Sequence, residues 1–300
     1  MSTQTLTENA TAFRRHILFG IFCAILLAVA FEPLRRLVQL SLGRANADLS
    51  YIVVIPFISL ALIYWERSRI FLQPRMSIGR AALVFAVGVI LYWLGQMVVT
   101  SDEQTHLSVT TAGVIALFYS GFLLFYGAAT FKAALFPMLF LILAIPMPTS
   151  LLDAFTNFLV RGSAAMVSLL FALTGTPAYR EGTTFALPRL TIDIAPECSG
   201  IRSTLGMYIV ILLAGRLFLT SNTRRLLLLI AVVPVSLLKN AVRIVTLTLL
   251  ALHVDMSFLT GSLHQEGGIV FMMIGLLIMY PCLVLLMRSE EKDLYRGVQP

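Results

Sequence analysis

The chain is poor in charge. Asp, Glu, Lys and Arg together make up 12% of its 300 residues, about half the ~25% of an ordinary soluble domain. That deficit excludes a water-exposed globular surface, and it also excludes disorder and coiled coil, both of which are rich in charge. Cysteine is scarce as well. Three residues, an odd number, do not make a disulfide framework. No His, Cys, Asp or Glu cluster has metal-ligand spacing and no glycine-rich loop is placed to cradle phosphate, so neither metal nor cofactor is expected. Internal repeats of the kind that build transporters are not evident.

Apolar residues are what the chain has instead: 58% of the total, with a mean hydropathy of +0.89. Runs near the ~20 residues needed to cross a bilayer recur at 17–31, 50–65, 81–100, 108–131, 133–147, 203–219, 226–252 and 267–287. The expectation is an all-α integral membrane protein of about eight transmembrane helices. A polar tail covers 1–13, a single transmembrane domain 14–290 and a cytoplasmic tail 291–300. The first apolar run lacks a small-residue cleavage site and reads as a retained helix rather than a signal peptide.

A net charge of +7 invites a nucleic-acid reading, but in a membrane protein excess Lys and Arg collects in cytoplasmic loops and fixes orientation. The densest basic segment, Glu66 to Arg69 with Arg75 and Arg80, alternates with the acidic Ser101–Gln104. The partner implied is the lipid membrane, not nucleic acid.

Two segments depart from the spanning pattern. Residues 151–173 carry Asp153, Asn157 and Arg161 four apart on an otherwise apolar rod, which predicts an interfacial helix, or one packed over the bundle, rather than a span. Thr183–Leu187 and Leu190–Ile194, separated by Pro188-Arg189, alternate as half-buried strands do. They predict a short outward-facing β-hairpin before the sixth span.

Candidate chemistry gathers after that hairpin. Cys23 and Cys282 lie inside apolar runs and read as small hydrophobes. Cys198 instead sits in the polar turn Ala195-Pro196-Glu197-Cys198-Ser199-Gly200 ahead of the sixth span, where a thiol can be presented. The seventh span carries Lys239, Asn240, Arg243 and Thr246 at three- and four-residue spacing. A charge at mid-membrane costs at least about 2.5–3.5 kcal/mol, so such residues face a cavity or a partner. His264, with Gly268 and Phe271 on its helical face, opens the eighth span. The eight-span topology brings thiol, guanidinium and imidazole to one side of the membrane. Arg243 lies about 15 Å of helix rise below His253, so either the site is a notch sunk into the outer leaflet or the seventh span ends early.

At these residues the sequence resembles the exosortase/archaeosortase family of membrane transpeptidases. The matching pieces are Ala195–Ser203, Asn240-Ala241-Val242-Arg243-Ile244, His264 with Gly268 and Phe271, and Phe136-Pro137 through Pro148, which looks like the family's fifth span. The resemblance implies catalytic roles for Cys198, Arg243 and His264. Ser199, Arg202, Asn240, Lys239 and Gly268 are expected to bind substrate or support the site. It further implies action on exported proteins whose C-terminus carries a sorting motif, a transmembrane helix and a basic tail, as in PEP-CTERM proteins. Such substrates are cut through a thioester and passed to an acceptor whose identity the sequence does not give. The expected location is the inner membrane, with the site facing the periplasm or cell exterior. Two rivals stand beside this reading: a transporter or channel whose Lys239–Arg243 stripe binds anions, and a membrane acyltransferase using Cys198 or His264.

Overall fold

Apolar runs become helices here because a backbone in hydrocarbon must satisfy its own hydrogen bonds. The structure, a computed structural model, describes residues 3–43, 49–72, 75–97, 102–259, 261 and 268–296. Eleven helices are described, together with one small sheet, and the chain forms two compact units, 1–152 and 153–300.

In the first unit α1 (Thr3–Val29) breaks at Ala30 and bends 70° into α2 (Phe31–Leu42). α2 buries Pro33, Leu37 and Ser41 and exposes Glu32, which pairs at 3.0 Å with both Arg35 and Arg36. That is the amphipathic pattern of a helix lying along an interface. Next come α3 (Ile55–Trp65), the single turn α4 (Arg67–Ile70) and α5 (Ile78–Met97). α6 (Glu103–Ala133) and α7 (Leu135–Leu141) follow.

α5 and α6 pack backbone to backbone. A Cβ at Gly95 would stand 2.3 Å from Thr110 Oγ1 and 2.8 Å from Thr110 N, and one at Gly113 would stand 2.5 Å from Tyr92 N. Small residues at these positions permit the close approach that drives helix association in lipid. Asp102 caps α6, its Oδ1 accepting from Gln104 N at 3.1 Å and Thr105 N at 3.3 Å. Gly127 interrupts α6 with φ 82°, and a side chain there would collide with the Arg75 carbonyl.

The second unit holds most of α8 (Thr149–Leu173), then β1 (Tyr179–Glu181), β2 (Thr184–Leu187), β3 (Leu190–Asp193), α9 (Ile201–Phe218), α10 (Asn222–His253) and α11 (Gly268–Arg296). The strands form one antiparallel sheet in the order β1-β2-β3, with Leu187 opposite Leu190 across the Pro188-Arg189 turn. α9, α10 and α11 pack on one another around Met207, Ile211, Leu228, Val232 and Met279. A second cluster joins Val160, Ala164 and Val167 of α8 to Ala241 and Val245 of α10 and to Phe185 and Leu187 of the sheet. The sheet is thereby seated on the two helices that border the site. At the far end of α10, Glu290 of α11 accepts from Thr220 N, Thr220 Oγ1 and Ser221 N, satisfying donors that a helix start leaves open.

Among the described residues six helices are long and apolar enough to cross a membrane, or seven if the bent α1–α2 pair counts as one span. The expected count of eight is therefore not what the helices give. The run at 50–65 yields only the 11 residues of α3 and the run at 133–147 only the short helix Leu135–Ala144. At 1.5 Å per residue each rises about 15 Å, half of a ~30 Å hydrocarbon core. α8, expected to lie in the interface, has 25 residues and qualifies as a span by length and composition. Its polar residues Asp153, Asn157 and Arg161 lie between its start and its midpoint. α11 runs on through Arg296, into residues that read as a tail.

Gly95→Ala should lower the thermal unfolding midpoint in detergent, by overpacking worth about 1–3 kcal/mol. Gly79→Ala, where nothing lies within 4 Å of the new Cβ, should leave the midpoint unchanged or raise it. The Thr105 hydroxyl, and after it the Thr149 hydroxyl, hold the Asp102 carboxyl below its ordinary range. The folded state is therefore favoured above about pH 4, and that contribution disappears as pH falls through the lowered folded value. Wild type and Asp102→Asn should differ in unfolding midpoint at pH 7 and converge as the pH falls below the lowered folded value.

Candidate active site

The turn that presents Cys198 is built from its own sequence. Pro196 starts a 3₁₀ turn, Pro196–Cys198, closed by Cys198 N donating to the Ala195 carbonyl at 2.8 Å and Ser199 N donating to the Pro196 carbonyl at 3.0 Å. Gly200 then adopts φ 71°, open to glycine at little cost, and redirects the chain into α9. Its carbonyl accepts from Ser203 Oγ, Thr204 Oγ1 and Thr204 N, while Ser199 Oγ, buried, accepts from Ile201 N at 3.3 Å.

α10 holds this turn from the side. Asn240, 2% exposed, donates from Nδ2 to the Cys198 carbonyl at 2.9 Å and to Ser163 Oγ of α8 at 3.0 Å. Its Oδ1 is buried against Gly200, where an added Cβ would stand 2.8 Å from it. Lys239, 1% exposed, turns the other way. Its ammonium donates to Ser203 Oγ, and its stem lies over Gly275 of α11, where a Cβ would stand 3.1 Å from Cδ.

Arg243, one turn further along α10, reaches a cleft of about 250 Å³ lined by Ile192, Asp193, Ile194, Cys198, Arg243, Ile244, Leu247, Thr248 and Leu259. Thiol and guanidinium share this cleft. The remainder of the lining is mostly apolar, which raises the worth of any charge interaction inside it. α10 continues unbroken to His253, so the helix does not end early. Its last turns, strand β3 and the 3₁₀ turn Met256–Leu259 wall in a recess below the helix end. Among the described residues no group of three His, Cys, Asp or Glu could hold a metal ion.

Residues 43–281 match the transmembrane exosortase family. The chain belongs to that family. No curated protein and no solved structure matches it.

In this exosortase the residues expected to act together are not all brought to one place. Cys198 and Arg243 meet in the cleft. Asn240, Ser199 and Lys239 stand behind it, in contact with the turn or with the first residues of α9, so the Lys239–Arg243 stripe does not present one cationic face to one cavity. Arg202 is exposed and does not line the cleft. Gly268 opens α11 with nothing within 4 Å of a Cβ built on it, and Phe271 is buried. His264 lies outside the described residues. Asp193 and Leu259 line the cleft without having stood out in the sequence. Asp193 had a signal, the Thr191-Ile192-Asp193-Ile194 alternation, but nothing in that pattern points to Cys198.

The turn is a coupled unit, and that coupling is measurable. Gly200→Ala should destabilise the protein by about 1–2 kcal/mol through its backbone conformation alone, with a further cost from the Asn240 contact. Asn240→Ala should cost about 1–3 kcal/mol by leaving the Cys198 carbonyl without its donor. Because Asn240→Ala also removes the atom that the methyl introduced by Gly200→Ala would strike, the double variant should lose less than the sum, as read from unfolding midpoints.

Proposed function

We propose that this exosortase is a cysteine transpeptidase of the inner membrane. In this reading it cuts the C-terminal sorting signals of exported proteins at the periplasmic or outer face and transfers the cut chain to an acceptor. The observation that carries the reading is the cleft shared by Cys198 and Arg243.

The chemistry follows from the residues. Cys198 is the nucleophile; it sits just ahead of the 18-residue α9, whose N-terminal dipole favours the thiolate. Arg243 adds positive charge in the same recess. The thiolate attacks the scissile carbonyl, and the oxygen of the tetrahedral intermediate becomes an anion that Arg243 stabilises. Collapse of the intermediate expels the amine of the signal helix, His264 supplies its proton, and a thioester remains on Cys198. A nucleophile from the acceptor then releases the product. A substrate already anchored by its own helix arrives within the membrane plane, which suits a recess below the end of α10. The rival reading, an anion channel, needs Lys239 and Arg243 in one path, whereas Lys239 is occupied with Ser203.

With a co-expressed protein ending in motif, transmembrane helix and basic tail, Cys198→Ala should abolish cleavage. Arg243→Ala should slow it about 10²–10³-fold, and His264→Ala should slow it about 10²–10⁴-fold. Full cleavage by Cys198→Ala overturns the reading.

A further inference from the structure

The cleft contains a second charge that the mechanism above leaves unused. Asp193, the last residue of β3, lines it together with Cys198 and Arg243. The carboxylate is fixed in place: Oδ1 accepts from Thr183 Oγ1 and from Thr184 Oγ1, each at 3.0 Å. Both threonines come from the neighbouring turn and strand, so the sheet fixes the orientation of the carboxylate at the solvent-exposed end of β3. Oδ2 has no hydrogen-bond donor among the described residues. Asp193 is the one acid among the cleft-lining residues, which also include Cys198 and Arg243.

A carboxylate beside a nucleophilic thiolate works against the first half of the reaction, because it opposes the thiolate. Its place is explained by the second half. When an amine attacks a thioester, nitrogen becomes positive and oxygen negative in the tetrahedral intermediate. A cleft with a guanidinium and a carboxylate around the sulfur matches that pair of charges. Water and alcohols, which attack with loss of a proton, do not develop the same lasting positive charge.

We propose that Asp193 selects an amine as the acceptor. Building on the cysteine transpeptidase reading, Asp193 Oδ2 accepts an N–H of the incoming primary amine, while Arg243 binds the thioester oxygen. The nitrogen forms the new C–N bond, the C–S bond breaks with its electron pair returning to sulfur, and the proton released from nitrogen completes the Cys198 thiol. The product is an amide, and the acceptor class is a primary amine rather than a hydroxyl compound.

Asp193→Asn is the informative variant. It keeps an oxygen for the two threonine hydroxyls and removes the charge. The full-length protein, purified in detergent with its sorting-signal substrate, is given glycinamide or glycerol, and amide, ester and hydrolysis products are separated by mass. Wild type should favour glycinamide transfer over hydrolysis. Asp193→Asn, with an unchanged unfolding midpoint and with release of the signal helix kept or quickened because the charge opposing the thiolate is gone, should lower that ratio at least tenfold and leave the glycerol ratio unaltered. An unchanged glycinamide ratio overturns the proposal and leaves Asp193 as a pin for the sheet. An equal fall for glycinamide and glycerol also overturns it, as does loss of signal-helix release in a folded Asp193→Asn protein. Cleavage that persists in Cys198→Ala defeats the cysteine reading itself, whatever Asp193→Asn does.

Discussion

The side-chain amide of Asn240 donates in two directions, to the Cys198 carbonyl at 2.9 Å and to Ser163 Oγ at 3.0 Å, and the site depends on that bridge. It ties the turn ahead of α9 to the middle of α10 and to α8. A buried carbonyl without a donor costs about 1–3 kcal/mol, so the turn has a strong reason to stay where Asn240 can reach it. Gly200 is the complementary constraint. Its positive φ and missing side chain let the turn close over the Asn240 oxygen. Arg243, nearly one turn beyond Asn240, then falls beside the thiol through the pitch of the helix.

Burial sorts the polar residues of α10 into structural and exposed roles. Lys239 and Asn240 are almost wholly enclosed and hold the start of α9, whereas Arg243 is half-buried and opens into the recess. The neighbouring sheet, seated on α8 and α10 through Phe185 and Leu187, brings Asp193 to the opposite lining. The polar face of one long helix thus supplies both the scaffold of the turn and the charge in the cleft.

Much of this was legible in the sequence because polar groups stand out against an apolar background. Cys198, Asn240 and Arg243 were conspicuous for that reason, and the strands around Pro188-Arg189 announced themselves by alternation. Other features were not legible. Apolar run length says nothing of bends, so the runs at 50–65 and 133–147 looked like spans although α3 and α7 are short. β1, three exposed residues, Tyr179 to Glu181, has no pattern of its own and exists through pairing with β2. The partition of Lys239 from Arg243 depends on which helices lie on either side of α10, information that no single-helix periodicity contains. Asp193 acquires meaning only once β3 is placed against Cys198.

The burial of Lys239 also sets an order of events during synthesis. A lysine and an arginine within one apolar helix make α10 a reluctant segment to release into lipid, at about 2.5–3.5 kcal/mol for each at the helix centre. α9 precedes it from the ribosome, so Ser203 and the Cys198 carbonyl already exist when Lys239 and Asn240 emerge. Gly275 comes later, on α11, and closes over the lysine stem. The chain order therefore lets α10 enter the bilayer against a helix that already offers it polar partners, with the last helix sealing them from lipid.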